Sequence, residues 1–127
     1  MRALLILFAL ATASCADETI SGYADRDAVY RLEEFEGAAV PWQATITVPE
    51  KGRVAGQAPC NAYAADQRVP YPWFELGPIA ATRRACLHMQ GETQFFAALS
   101  RVTLAEVAGK VLVLSDDDGP VMVFRTE

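Results

Sequence analysis

From Val29 to Arg125 the chain is written in short strand-type runs interrupted once by a helical one, and strand never alternates with helix. That order excludes the repeated βαβ unit of a parallel sheet. What remains is an antiparallel sheet that packs against a single helix.

The individual runs carry the pattern. Val29 to Phe35 is rich in β-branched and aromatic residues, and Gln43 to Val48 places Ala44, Ile46 and Val48 on one face and Gln43, Thr45 and Thr47 on the other. Period-2 alternation of this kind predicts half-buried strands. A turn is expected at Pro49-Glu50-Lys51-Gly52, followed by a segment from Arg53 to Tyr63 in which Gly56 and Pro59 suggest an edge or a bulge. A short strand is expected near Phe74 to Leu76, ended by Gly77-Pro78, and later strands at 102–107, 111–114 and 121–125 form a meander. Between them, Leu87 to Ser100 reads as a helix with Met89, Phe95, Phe96 and Leu99 on one face. Gly91 weakens its first turn by about 1 kcal/mol relative to alanine, which moves the expected start towards Glu92. The fold class is therefore α+β, mainly β: a curved or partly closed, barrel-like antiparallel sheet with one packed amphipathic helix.

The 127-residue chain carries an address ahead of this domain. Met1-Arg2, the apolar run Ala3 to Ala11 and the small residues Thr12-Ala13-Ser14 have the order of a secretory signal peptide, which assigns residues 1–14 to a leader. The apolar run is about ten residues, half the roughly 20 needed for a spanning helix. Small residues ending in Cys15 resemble the lipobox of bacterial lipoproteins, which implies lipidation of Cys15. With Ala16 rather than Asp after the cysteine, that resemblance also implies sorting to the outer membrane, facing the periplasm. The alternative is cleavage after Ala11-Thr12-Ala13 and a soluble periplasmic protein. Polar and small residues from 15 to 27 are expected to act as a tether, and the domain to occupy 28–127.

Cysteine arithmetic agrees with export. With Cys15 acylated, Cys60 and Cys86 remain as an even pair in an oxidising compartment and are expected to join, closing a loop worth about 3.5 kcal/mol on the chain-entropy model. Two buried free thiols are the alternative. Sixteen acidic against eleven basic side chains give a net charge of −5, so nucleic acid is not an expected partner and membrane attachment falls to the lipid. A monomer is expected.

Residues that suggest chemistry do not assemble into a reaction. His88 has no nucleophile elbow to serve, and two distant cysteines with one histidine lack the short paired spacing of a zinc site. Asp116-Asp117-Asp118-Gly119 is read as a hairpin turn in preference to a calcium loop. No phosphate-binding glycine loop, cofactor motif or metal site is expected, and the chain is read as a non-enzyme.

Two features invite a structural role and one a binding role. Glu92 falls in the middle of the apolar helix face, where a bare carboxylate is costly. It is expected to accept from Arg83 or Arg84, or from backbone N–H groups at the helix start, and so to clamp 82–86 against the helix; the alternative is a wet first-turn glutamate that suits the helix dipole. Trp42, Tyr63, Tyr71, Trp73 and Phe74 are candidates to line a groove for an apolar ligand, the alternative being core packing.

Cys60-Asn61, then Gly77-Pro78-Ile79-Ala80-Ala81-Thr82-Arg83-Arg84-Ala85-Cys86, then Glu92, Phe95 and Leu99, followed by paired hairpin strands, resemble the META-domain (HslJ-like) family. The resemblance covers Val29 to Phe124 and departs from the pattern at Tyr30, Pro59 and Ala64-Ala65. It implies a small β-rich envelope module linked to heat and antibiotic stress, with no catalytic residues to carry over. It also places both Cys60 and Cys86 on motif positions, and marks Asn61, Thr82, Arg83, Arg84 and Glu92 as motif residues. The expected function is a structural or binding module, with an envelope protein or apolar ligand as possible partner. The alternative is a periplasmic inhibitor or small-ligand carrier on the same scaffold.

Overall fold

A computed structural model describes residues 16–127; the expected leader and Cys15 lie outside the described residues. Among the described residues, eight strands run in chain order as β1 (Tyr30–Phe35), β2 (Thr45–Glu50), β3 (Arg53–Gln57), β4 (Ala62–Asp66), β5 (Ala80–Ala81), β6 (Leu104–Ala108), β7 (Val111–Asp116) and β8 (Gly119–Arg125). A helix, α1 (Met89–Arg101), separates β5 from β6. The strands form a single curled sheet in the order β5-β4-β3-β2-β1-β8-β7-β6, every pair antiparallel. The expected mainly β fold with one helix is what the chain adopts.

Tight turns fix the register. Glu50 faces Arg53 across Lys51-Gly52, Ala108 faces Val111 across Gly109-Lys110, and Asp116 faces Gly119 across Asp117-Asp118. Gly52 and Gly109 hold φ of 79° and 57°, a left-handed region that other residues enter at a cost. Asp118 N donates to Asp116 Oδ1 at 2.9 Å, so the aspartate run is a self-satisfied turn.

The segment from Arg53 to Tyr63 is two strands rather than one interrupted edge. Pro59 sits in the turn between β3 and β4, where its missing N–H costs nothing, and β3 lies inside the sheet. Gly56 is small because Thr45 O lies only 2.2 Å from where a Cβ would stand. Ala64-Ala65 lie within β4. The strand expected near Phe74 to Leu76 does not form; single bridges join Trp73 to Leu104 and Gln67 to Leu76 instead. The connection from 67 to 76 thus spans the seam between β4 and β6, with Phe74 N donating to Thr103 O and Ala105 N to Pro72 O, each at 2.8 Å.

One core fills the curl. Tyr30, Ile46, Val48, Val54, Leu112, Leu114, Met122 and Phe124 from the sheet meet Phe95, Ala98 and Leu99 from α1. The helix differs from expectation in its face: Gly91, Glu92, Phe95, Ala98 and Leu99 are buried, and Met89 is 42% exposed. Gly91 and Ala98 are among the residues that turn inward, and at Gly91 the fit is close. A Cβ on Gly91 would lie 2.6 Å from Trp42 Cδ1, so this glycine is a packing requirement and α1 starts ahead of Glu92.

The stretch expected as a tether, 15–27, is folded over much of its described part. A 3₁₀ turn at Ile20–Gly22 buries Thr19, Ile20 and Ser21, and Ile20 joins the core. Polar composition misled because these hydroxyls have a partner: Asp17 Oδ1 accepts from Thr19 N (2.9 Å) and Thr19 Oγ1 (2.6 Å), and Asp17 Oδ2 from Ser21 Oγ.

Candidate functional site

The motif residues converge at the turn between β3 and β4. Cys60 and Cys86 are joined by a disulfide with 5.6 Å between their Cα atoms, so the expected pairing is present. Beside it lies Asn61, 4% exposed, which sits where β4 begins and faces the first turn of α1. Its side-chain amide is saturated. Asn61 Oδ1 accepts from Thr82 Oγ1 (2.9 Å) and Arg84 N (2.6 Å), while Nδ2 donates to Arg84 O (3.0 Å) and Glu92 Oε2 (2.7 Å). All the hydrogen-bonding capacity of a primary amide is used.

Glu92 completes the knot from the helix side. Its Oε1 accepts from Cys60 N at 3.0 Å and Asn61 N at 2.8 Å, and the residue is 5% exposed. A carboxylate holding three N–H donors replaces its lost hydration with charge-assisted hydrogen bonds. The expected partners were Arg83, Arg84 or the helix-start N–H groups, and the observed ones are the Cys60-Asn61 backbone and the Asn61 amide. Segment 82–84 is clamped, but through Asn61 as intermediary. Arg83 and Arg84 point their charge elsewhere: both residues are exposed, and neither forms an ion pair among the described residues. The signal for Asn61 is the Cys60-Asn61 pair of the resemblance; its long-range partners are not legible from spacing.

The five aromatic candidates do not gather into one groove. Trp42 is buried between Phe35 and Phe95, with ring centroids 5.2 and 6.2 Å away. Tyr63 packs edge-on to Phe95 and Phe96 and donates its hydroxyl to Thr45 O at 2.8 Å. Burial pushes that hydroxyl's pKa far above its ordinary value. Tyr71 stacks on Tyr23 at 4.2 Å, and its hydroxyl accepts from Val107 N at 3.0 Å. Phe74 is in the core. Trp73 alone stands out, 58% exposed. Apolar composition marked these residues equally, and in the fold four of them pack inward or against a neighbour.

Trp73 borders an open cleft of about 650 Å³ between the 67–76 connection and the C-terminal end of α1. Arg101 at its rim donates to Glu36 Oε1 at 2.6 Å and reaches Asp116 Oδ2 at 3.4 Å, and the Glu36 bond chiefly raises the guanidinium's pKa. Among the described residues, no cluster of three or more histidine, cysteine or carboxylate side chains is arranged to hold a metal ion, and no helix is long and apolar enough to cross a membrane.

The META domain family model matches residues 25–127. No curated protein matches the chain. Among solved structures, the chain is similar to an NMR structure of a protein from Burkholderia xenovorans, with 20% identity, a TM-score of 0.61, and coverage of 80% of this chain and 82% of that one. A second NMR structure of a protein gives 17% identity and a TM-score of 0.61, over 79% of this chain and 89% of the other. At these identities the likeness is one of fold.

Proposed function

The chain belongs to the META domain family, and on that premise we infer that it is a non-enzymatic envelope lipoprotein, a structural or binding module that supports the envelope under stress. One observation carries the reading. The motif's polar atoms at Asn61 and Glu92 are buried and committed to one another, together with Thr82 and Arg84, which is the arrangement of a structural clasp rather than of groups held ready for a substrate. Export supplies the oxidising setting in which the Cys60–Cys86 bond persists. Anchoring is assigned to a lipid on Cys15, and the location to the periplasmic face of the outer membrane, with a monomer as the working unit.

The intact mass of the protein recovered from cells tests this reading. A chain that begins at Cys15, carries acyl groups and retains its disulfide is expected. An uncleaved leader, or a mature chain lacking Cys15, would overturn the anchor. A second reading, a carrier of small ligands or an inhibitor of an envelope enzyme, is favoured by the open cleft beside Trp73.

A further inference from the structure

We propose that the cleft beside Trp73 binds small amphipathic cations, molecules with an apolar body and an ammonium or guanidinium head. Its volume of about 650 Å³ lies within the range of small-molecule sites. Phe74 and Val102, both in the core, form its apolar floor, and Trp73 stands on the wall with more than half its surface in solvent. The Trp73 backbone is fixed, bridged to Leu104 and accepting from Gln67 Nε2 at 3.2 Å. An indole presented on a fixed backbone is a ready stacking and cation–π surface, since its ordering cost is already met by the fold.

The charge of the occupant follows from the groups around that wall. Arg101 is the cleft's cation, and Glu36 and Asp116 already neutralise it. Glu75 and Asp117 also line the cleft, and neither is ion-paired among the described residues. An anion would meet these carboxylates in addition to Glu36 and Asp116, and a neutral apolar body would leave their attraction unused. A cation over the Trp73 face satisfies both the ring and the carboxylates.

The chain has two tryptophans, Trp73 exposed and Trp42 buried, and comparison with Trp73→Phe assigns the probe-dependent part of the emission to Trp73. The full-length chain is titrated with hexyltrimethylammonium, 1-hexanol and hexanesulfonate, three probes with the same alkyl body. The cation is expected to shift the emission and to bind about tenfold more tightly than the alcohol, with the sulfonate weakest, and this preference is expected to shrink at high salt. The exposed-site variants Glu75→Gln and Asp117→Asn are expected to erase most of the preference for the cation over the alcohol. Trp73→Phe is expected to abolish the emission change. Equal affinity for cation and alcohol, no response to the cation, or a response that persists in Trp73→Phe would each overturn the proposal. None of these outcomes depends on acylation of Cys15, so the anchor and the cleft stand or fall separately.

Discussion

Asn61 Nδ2 donates to Glu92 Oε2 across 2.7 Å, joining two residues 31 positions apart and tying the start of β4 to the first turn of α1. The same asparagine grips segment 82–84, so one side chain holds three separate pieces of chain together.

Glu92→Ala is expected to cost about 3 kcal/mol or more, because it strands the part-buried Cys60 N–H, the buried Asn61 N–H and the Asn61 amide. Glu92→Gln is expected to cost less, since it keeps an acceptor for the two backbone donors. Urea midpoints at unchanged slope provide the measurement. Glu92→Ala combined with Asn61→Ala is expected to fall well short of additive, whereas Glu92→Ala with Arg83→Ala is expected to be additive.

Removal of the Cys60–Cys86 bond, by reduction or by the double alanine variant, is expected to lower stability by about 3 kcal/mol without unfolding the domain. The reason is that Asn61 continues to hold Thr82 and Arg84. Thermal unfolding with and without reductant reads the loss, and circular dichroism of the reduced protein at low temperature reads the retained fold. A reduced chain already unfolded under those conditions would show that the hydrogen bonds cannot hold the clasp alone.

Gly91→Ala separates helix propensity from packing by the sign of its effect. Propensity alone favours alanine by about 1 kcal/mol. The added methyl would stand 2.6 Å from Trp42 Nε1, and overpacking of a fitted contact costs about 1–3 kcal/mol. A net loss of thermal stability is expected, accompanied by a change in Trp42 emission. A gain would mean that the indole moves aside freely.

Acid should reveal the N-terminal turn. Burial alone would raise the Asp17 pKa, but hydrogen bonds from Ser21 and Thr19 and the Arg26 charge outweigh it and lower the value to about 2. A carboxyl depressed in the folded state contributes stability that is full above its unfolded value of about 4 and is lost as pH falls towards 2. Asp17→Asn is expected to flatten this part of the stability profile between about pH 4 and 2, measured by urea unfolding. An unchanged slope in that window would remove Asp17 from the account.

Much of the sheet was legible because alternation is a local property. The Ala44, Ile46 and Val48 face is buried as its period-2 pattern indicates, and the Asp-Gly and Gly-Lys turns mark hairpins where turn chemistry puts them. The two-residue β5 carried no alternation, and its pairing with Tyr63 and Ala64 is set by chain elsewhere. Gly91 read as a defect for the same reason, since its purpose lies in Trp42. The need of Glu92 for partners is plain from its apolar helix face, but a wheel shows only its own helix, and the donors come from the Cys60-Asn61 turn. The Thr19–Ser21 segment looked like solvent-loving linker because its hydroxyls find Asp17 only after the turn has formed.

An open antiparallel sheet has two free margins, and each can recruit further chains. At the β6 margin Ala105 N is taken by Pro72 O and Val107 N by the Tyr71 hydroxyl. The β5 margin is two residues long. At the β6 margin, growth of the sheet from one molecule into the next therefore requires the 67–76 connection to lift first, and the β5 margin gives neighbours almost no backbone to extend.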